Sequence, residues 1–150
     1  MFNLFSEKLI NLSIESVFCK NIGYVDLLCI EKMFISEIHF SNISESVVFT
    51  VGQNAQDNIE VIRKAYPNDI WFHAENESSC HVVARIRTGL TKKQLHTIIK
   101  YGCALCKNHT AKLKKKIHVE CIYTEIRNVE IPEGAPIGTV NTSKCKFITV

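Results

Sequence analysis

The chain is short of several things, and each shortage removes a class of protein. It has no run of about 18 or more apolar residues, the length a membrane-crossing helix needs, so no membrane span is expected. Residues 1–20 lack a basic start followed by an apolar block, so no cleavable secretory signal is read there. No period of about 20–50 residues repeats and no low-complexity tract appears, which sets aside repeat architectures. Charged residues make up only 22% and the formal net charge is +3, an excess too mild to imply nucleic acid by itself. A single glycine in Gly52-Gln53-Asn54-Ala55 falls far short of a P-loop or a dinucleotide fingerprint, so no nucleotide cofactor is expected. Cysteine, by contrast, is plentiful: seven, an odd count, spread through apolar stretches. With no export signal, these read as reduced thiols in a cytoplasmic protein, or a nuclear one.

What is there centres on Asn68-Asp69-Ile70-Trp71-Phe72-His73-Ala74, followed after a short polar link by Ser78-Ser79-Cys80-His81-Val82-Val83. This stretch holds the only Trp and two of the six His. Pro67-Asn68-Asp69 is turn chemistry, and Pro67 biases Tyr66 away from helix. Ile70, Trp71 and Phe72 favour a pleated, mostly buried surface. Residues 75–79 carry no apolar side chain and read as a loop, after which Val82, Val83 and Ala84 resume the apolar run. Two histidines thus enter and leave one hairpin-like unit. If its strands are antiparallel, His73 and His81 face each other across the turn.

With 150 residues, 46% of them hydrophobic, one globular domain with a real core is expected. Residues 1–32 are the hardest to place. Leu4, Phe5, Leu9, Ile10 and Leu12 have a loose helical rhythm, and Gly23 interrupts. They read either as an extra packing segment or as an N-terminal extension outside the folded domain. Met33 opens what looks like a domain start, and the intact mass of the native protein decides whether translation begins there. Residues 33–40 and Val47-Val48-Phe49-Thr50-Val51 predict a β-hairpin stopped by Gly52. Asp57 or Asn58 is expected to cap a short helix bearing Ile59, Ile62, Ala65 and Tyr66 on one face and ending before Pro67. Thr91 is expected to cap the longest helix, which runs to about Lys107 with Leu95, Ile98, Ile99, Gly102, Cys103 and Cys106 near one face. Residues 117–124 read as a strand, Pro132-Glu133-Gly134-Ala135-Pro136 as a loop, and Gly138-Thr139-Val140 and residues 146–150 as closing strand-like pieces. The order is β-β-α-β-β-α-β-β: a single α+β domain with a mostly antiparallel sheet and two main helices.

Val51-Gly52-Gln53-Asn54-Ala55-Gln56-Asp57-Asn58, Pro67-Asn68-Asp69-Ile70-Trp71-Phe72-His73 and Ser79-Cys80-His81-Val82-Val83 together resemble the NFACT-R domain. That is the proposed RNA-binding domain of ribosome-quality-control factors that extend stalled nascent chains. Pro132-Glu133-Gly134-Ala135-Pro136-Ile137-Gly138-Thr139-Val140 is similar to the family's closing loop and strand. Within the family the likeness is greatest to the stand-alone members: their start resembles the segment from Met33, and Cys103-Ala104-Leu105-Cys106-Lys107-Asn108 resembles the end of their long helix. The likeness covers residues 33–150, and its most specific part is the Trp-His stretch. Two departures stand out. The stand-alone members continue into a charged coiled coil where this chain stops, and residues 1–32 are additional. The resemblance implies RNA as partner, tRNA or ribosomal RNA, and a link to the ribosome. It implies no catalytic activity.

Four constellations bear on chemistry. Lys107, Lys112, Lys114, Lys115 and Lys116, with His109 and His118 interspersed, form a basic segment with no acidic residue between Tyr101 and Val119. Such a cluster suits phosphates, as point charges rather than base-reading groups, and Arg85 and Arg87 extend it if they lie nearby. The alternative is a solvated helix end. Asp69, Trp71, His73 and His81 are read in three ways: a binding pocket where Trp71 or Phe72 stacks on a base, a catalytic site where Asp69 orients a His, or a core Trp with two structural histidines. Cys103-x-x-Cys106 with His109 has zinc-like spacing but lacks a second CxxC and falls on a helix face, so no metal is expected. Gly52 is the fourth, set aside above. The reading is a non-catalytic module binding RNA, with DNA not distinguished by a lysine patch. A protein–protein adaptor and a His-dependent phosphoester-processing enzyme stand as rivals.

Overall fold

The computed structural model describes residues 33–150. Readings made for residues 1–32 lie outside the described residues. A six-stranded, wholly antiparallel sheet runs β1 (Phe34–Ile38), β2 (Val47–Val51), β4 (Val82–Ala84), β3 (Ile70–Ala74), β5 (Glu120–Glu125) and, at the far border, β8 (Lys146–Thr149). A small ribbon, β6 (Val129–Glu130) with β7 (Asn141–Thr142), sits apart from it. Helix α1 (Ala55–Arg63) lies between β2 and β3, and α2 (Lys92–Asn108) between β4 and β5. This is the expected α+β domain in the expected order, with the ribbon added.

Strand alternation sorts the side chains to two faces. Phe49, Val51, Phe72, Ala74, Val82 and Cys121 point one way and meet Ile98, Cys103 and Cys106 of α2. Helix α2 can lie so close because Gly102 has no side chain: a Cβ there would stand 2.6 Å from the Phe72 ring. Trp71 and Val83 point the other way, under Val61 and Ile62 of α1 and under Ile131 and Val140 of the segments flanking the β6–β7 ribbon.

The caps show where local reading holds and where it slips. Thr91 caps α2 as expected, in a full capping box with Gln94. Helix α1 is capped earlier than expected, by Asn54, whose Oδ1 accepts from the Asp57 N–H at 2.9 Å; Asp57 and Asn58 lie inside the helix. It ends at Arg63; Ala65, just beyond, still packs with Val61 and Ile62, whereas Tyr66 is exposed. The strand-like piece expected at residues 138–140 is displaced to β7. Gly138 has φ 95 and Thr139 N–H donates to the Pro136 carbonyl, which makes that stretch a turn.

Candidate nucleic-acid interface

The C-terminal end of α2 and the β3–β4 loop meet at one end of the sheet. Cys80 N–H donates to Thr110 Oγ1 at 3.1 Å, and Ala74 N–H donates to Ser79 Oγ at 3.0 Å, which closes the loop. Beyond α2 the chain makes tight turns, with Leu113 N–H donating to the Thr110 carbonyl and Lys116 N–H to the Leu113 carbonyl. Leu113 is fully buried. This one apolar anchor, set among lysines, fixes the turn and leaves Lys112, Lys114, Lys115 and Lys116 on the outside.

Their partners divide them. Lys112 pairs with Glu77 at 2.9 Å, and Lys116 pairs with the other oxygen of the same carboxylate. Lys116 first, then Lys112, holds the Glu77 carboxyl down to about 2. Lys107 donates to the carbonyls of Ile117 and Val150 at 3.0 and 3.4 Å, so its ammonium sits at the edge of the patch. Lys114 and Lys115 are exposed and have no carboxylate partner among the described residues. Arg85 and Arg87 do not extend this patch. They follow β4 at the opposite end of the sheet, beside the start of α2, a helix about 25 Å long at 1.5 Å per residue. Arg85 is paired there with Asp69 at 3.1 Å and lies over the Tyr66 ring, and Arg87 is paired with Glu45.

His73 and His81 do face each other, their rings edge to face with centroids 5.1 Å apart. His73 also stacks flat on Trp71, at 5.6 Å and 4°. The pair is seated by Gly52. A Cβ at that position would lie 2.2 Å from Asn58 Oδ1, so the bare glycine lets Asn58 come close. Asn58 Oδ1 accepts from the His81 N–H at 2.9 Å, and the Asn58 carbonyl accepts from His81 Nδ1 at 3.2 Å. That fixes the tautomer of His81 with its proton on Nδ1. Burial, and then the neighbouring His73, push His81 down to about 3. Burial also lowers His73, against the Ala74 backbone bond, and Lys112 adds a smaller effect in the same direction. Both rings are therefore neutral near pH 7.

This geometry narrows the readings of the Trp-His unit. Trp71 is 1% exposed and Phe72 is fully buried, so neither offers a ring face to a base. Asp69 orients no histidine. Its carboxylate accepts from the backbone N–H groups of Tyr66 and Ile86 and from Arg85 Nε, at 2.9, 3.0 and 3.1 Å, fastening the Pro67 turn to the end of β4. His81, 2% exposed and spent on Asn58, has no free approach to a substrate. His73 alone is half-buried, on the side nearest Lys112.

Cys103 and Cys106 point into the core with Cys80 and Cys121. Cys106 lies against Cys121, which with burial raises its thiol to about 12; Cys121, beside Cys103, is likewise raised to about 12. Such thiols are protonated packing groups. His109 packs against Phe34, ring centroids 4.5 Å apart and tilted by 40°, away from them.

Residues 36–142 match the family described as NFACT protein RNA binding domain. The chain belongs to this family. It is 28% identical over 115 residues to the coiled-coil domain-containing protein 25 homolog of Dictyostelium discoideum, covering 74% of this chain and 56% of that one. It is 27% identical over 101 residues to coiled-coil domain-containing protein 25 of Danio rerio, covering 67% and 49%. The chain thus spans about half the length of the curated relatives it matches. Among solved structures, the C-terminal part of the fibronectin/fibrinogen-binding protein from Streptococcus suis superposes with a TM-score of 0.59 at 24% identity, over 69% of this chain and 40% of that one. That likeness shows the fold.

Two sets of residues escaped the sequence reading. Asn58, which seats His81, was read only as a helix cap and as part of the Val51-to-Asn58 motif, because nothing local says that its side chain turns back over Gly52. Lys93 and Lys100 stand on the outer face of α2. Their signal was the seven-residue spacing to Lys107, together with a stretch free of Asp and Glu that reaches from Glu77 to Glu120.

Proposed function

We propose that this chain is a non-catalytic module that binds structured RNA, tRNA or ribosomal RNA, through the basic end of the sheet. The observation that carries the reading is the Leu113-anchored turn, which holds Lys114 and Lys115 outward without carboxylate partners beside two further lysines that share one glutamate. Lysines so placed neutralise phosphates and release counterions, and they read no bases. Membership of a family described as RNA binding supports the choice of RNA over DNA. Half-buried His73, neutral and next to Lys112, supplies a hydrogen-bonding edge to the same surface. A cytoplasmic place of action linked to the ribosome fits this reading.

The test is binding of the purified chain to tRNA, duplex DNA and single-stranded RNA across a salt series. Graded binding with a steep salt slope, made shallower by about two in Lys114→Ala/Lys115→Ala, supports the module. Flat, weak binding to all three removes it. Ile117, 82% exposed beside the lysines, favours a protein partner instead. A salt-insensitive pull-down free of nucleic acid would carry that second reading.

A further inference from the structure

The outer face of α2 is a second basic surface, and it has a regular geometry. The helix buries Ile98, Ile99, Gly102, Cys103, Leu105 and Cys106 against the sheet. At about 100° per residue, the outward side carries Lys93, Lys100 and Ala104, with His96 and Lys107 along its edge. Lys93, Lys100 and Lys107 recur every seven residues, so they fall on one line with about 10 Å between successive Cα positions and about 21 Å from first to last. Lys93, His96 and Lys100 are exposed, and small Ala104 leaves the line open between Lys100 and Lys107. Among the described residues Lys93 and Lys100 have no carboxylate partner. At its C-terminal end the line runs into the turn that bears Lys112, Lys114 and Lys115.

We infer that this stripe continues the basic end of the sheet into one straight track that takes the phosphate backbone of a double-stranded RNA stem. The inference rests on the RNA-binding reading above and specifies the form of the RNA. Two features select a duplex. Single-strand sites combine positive charge with aromatic side chains on which bases stack. The stripe has no Phe, Tyr or Trp; Trp71 and Phe72 are buried on the sheet, and His109 at the end of α2 is occupied by Phe34. A rigid helix also presents its lysines at fixed intervals. That suits a stiff polyanion whose phosphates are likewise fixed, whereas a flexible strand gains nothing from the regularity. Duplex RNA is recognised mostly through shape and backbone contacts, the contacts that lysines supply.

The experiment compares the full chain with Lys93→Gln/Lys100→Gln, exposed changes that keep good helix formers, and with Lys114→Gln/Lys115→Gln. The probes are an RNA hairpin stem, the same sequence as a single strand, and a stem about half as long. Two lost phosphate contacts lower the salt slope by nearly two, so the intact chain should lose about tenfold more affinity than Lys93→Gln/Lys100→Gln between about 50 and about 200 mM salt. The short stem should bind the intact chain more weakly and be nearly blind to the Lys93/Lys100 change, while remaining sensitive to the Lys114/Lys115 change. An unchanged salt slope in Lys93→Gln/Lys100→Gln, with the intact chain still binding, overturns the track and leaves the basic end standing. Single strands bound as tightly as the stem overturn the choice of a duplex. No RNA binding by the intact chain overturns this inference and the reading beneath it together.

Discussion

Lowering the pH from neutrality to about 5 is expected to destabilise the fold by about 2 kcal/mol through His81 alone. The ring is 2% exposed, bonded to the Asn58 carbonyl through Nδ1, and packed edge to face on both Trp71 and His73. In the unfolded chain it takes up a proton around its ordinary 6.5; in the fold it resists until about 3. Between those values the unfolded state holds more protons, so stability falls as pH falls. The fall approaches about 1.4 kcal/mol per pH unit for one group, and integrated from neutrality to about pH 5 it comes to about 2 kcal/mol. His73 is lowered by burial too and adds to the loss. The assay is urea unfolding at steps from pH 7.5 to 5, followed by the fluorescence of Trp71, the only tryptophan. In His81→Leu the loss of the bond to Asn58 should cost about 1 kcal/mol near pH 7.5, and the pH slope should drop by one proton. Equal stability of the unchanged chain at both ends of the range would refute the buried neutral ring. So would a slope in His81→Leu as steep as that of the unchanged chain.

Other perturbations have equally definite outcomes. Glu77→Gln frees Lys112 and Lys116 and should tighten RNA binding most at low salt, with a steeper salt slope in a titration of the kind described above. Gly102→Ala drives a methyl to within 2.6 Å of the Phe72 ring and should cost about 1–3 kcal/mol in a denaturation curve. Asp69→Ala leaves the N–H groups of Tyr66 and Ile86 without their buried acceptor and should cost about 3 kcal/mol in the same measurement, with RNA affinity unchanged in the fraction that stays folded.

The elements themselves were legible because their signals are local. Val47-Val48-Phe49-Thr50-Val51 is β-branched and bounded by Gly52, and Thr91 with Gln94 spells a capping box, so strand and helix followed from adjacent residues. Asn54 was passed over as a cap because Asp57 and Asn58, equally good capping types, follow it closely; only the backbone at Asn54, extended at φ −148, decides among them. The facing of His73 and His81 was read from strand alternation across a hairpin. Their burial was not, since it depends on Asn58 folding back from another element. Arg85 and Arg87 were misplaced for the same reason. They were read as a possible extension of the lysine patch, while the direction of β4 carries them to the end of the sheet opposite Lys114.

The strand order β1-β2-β4-β3-β5-β8 also fixes how the molecule breathes. β1 and β8 are borders, each held by a single ladder, whereas β3 and β4 have a partner on either side and a helix over each face. Amide protons in the border strands are expected to exchange with solvent through local fraying, and those of β3 and β4 only when the whole sheet opens. The loop that holds Glu77 is rooted in those two central strands, and the lysine turn is fastened to it through Thr110 and Cys80. The basic end therefore rides on the slowest-exchanging part of the molecule, and partial melting of the borders by mild heat or denaturant is expected to leave its shape in place.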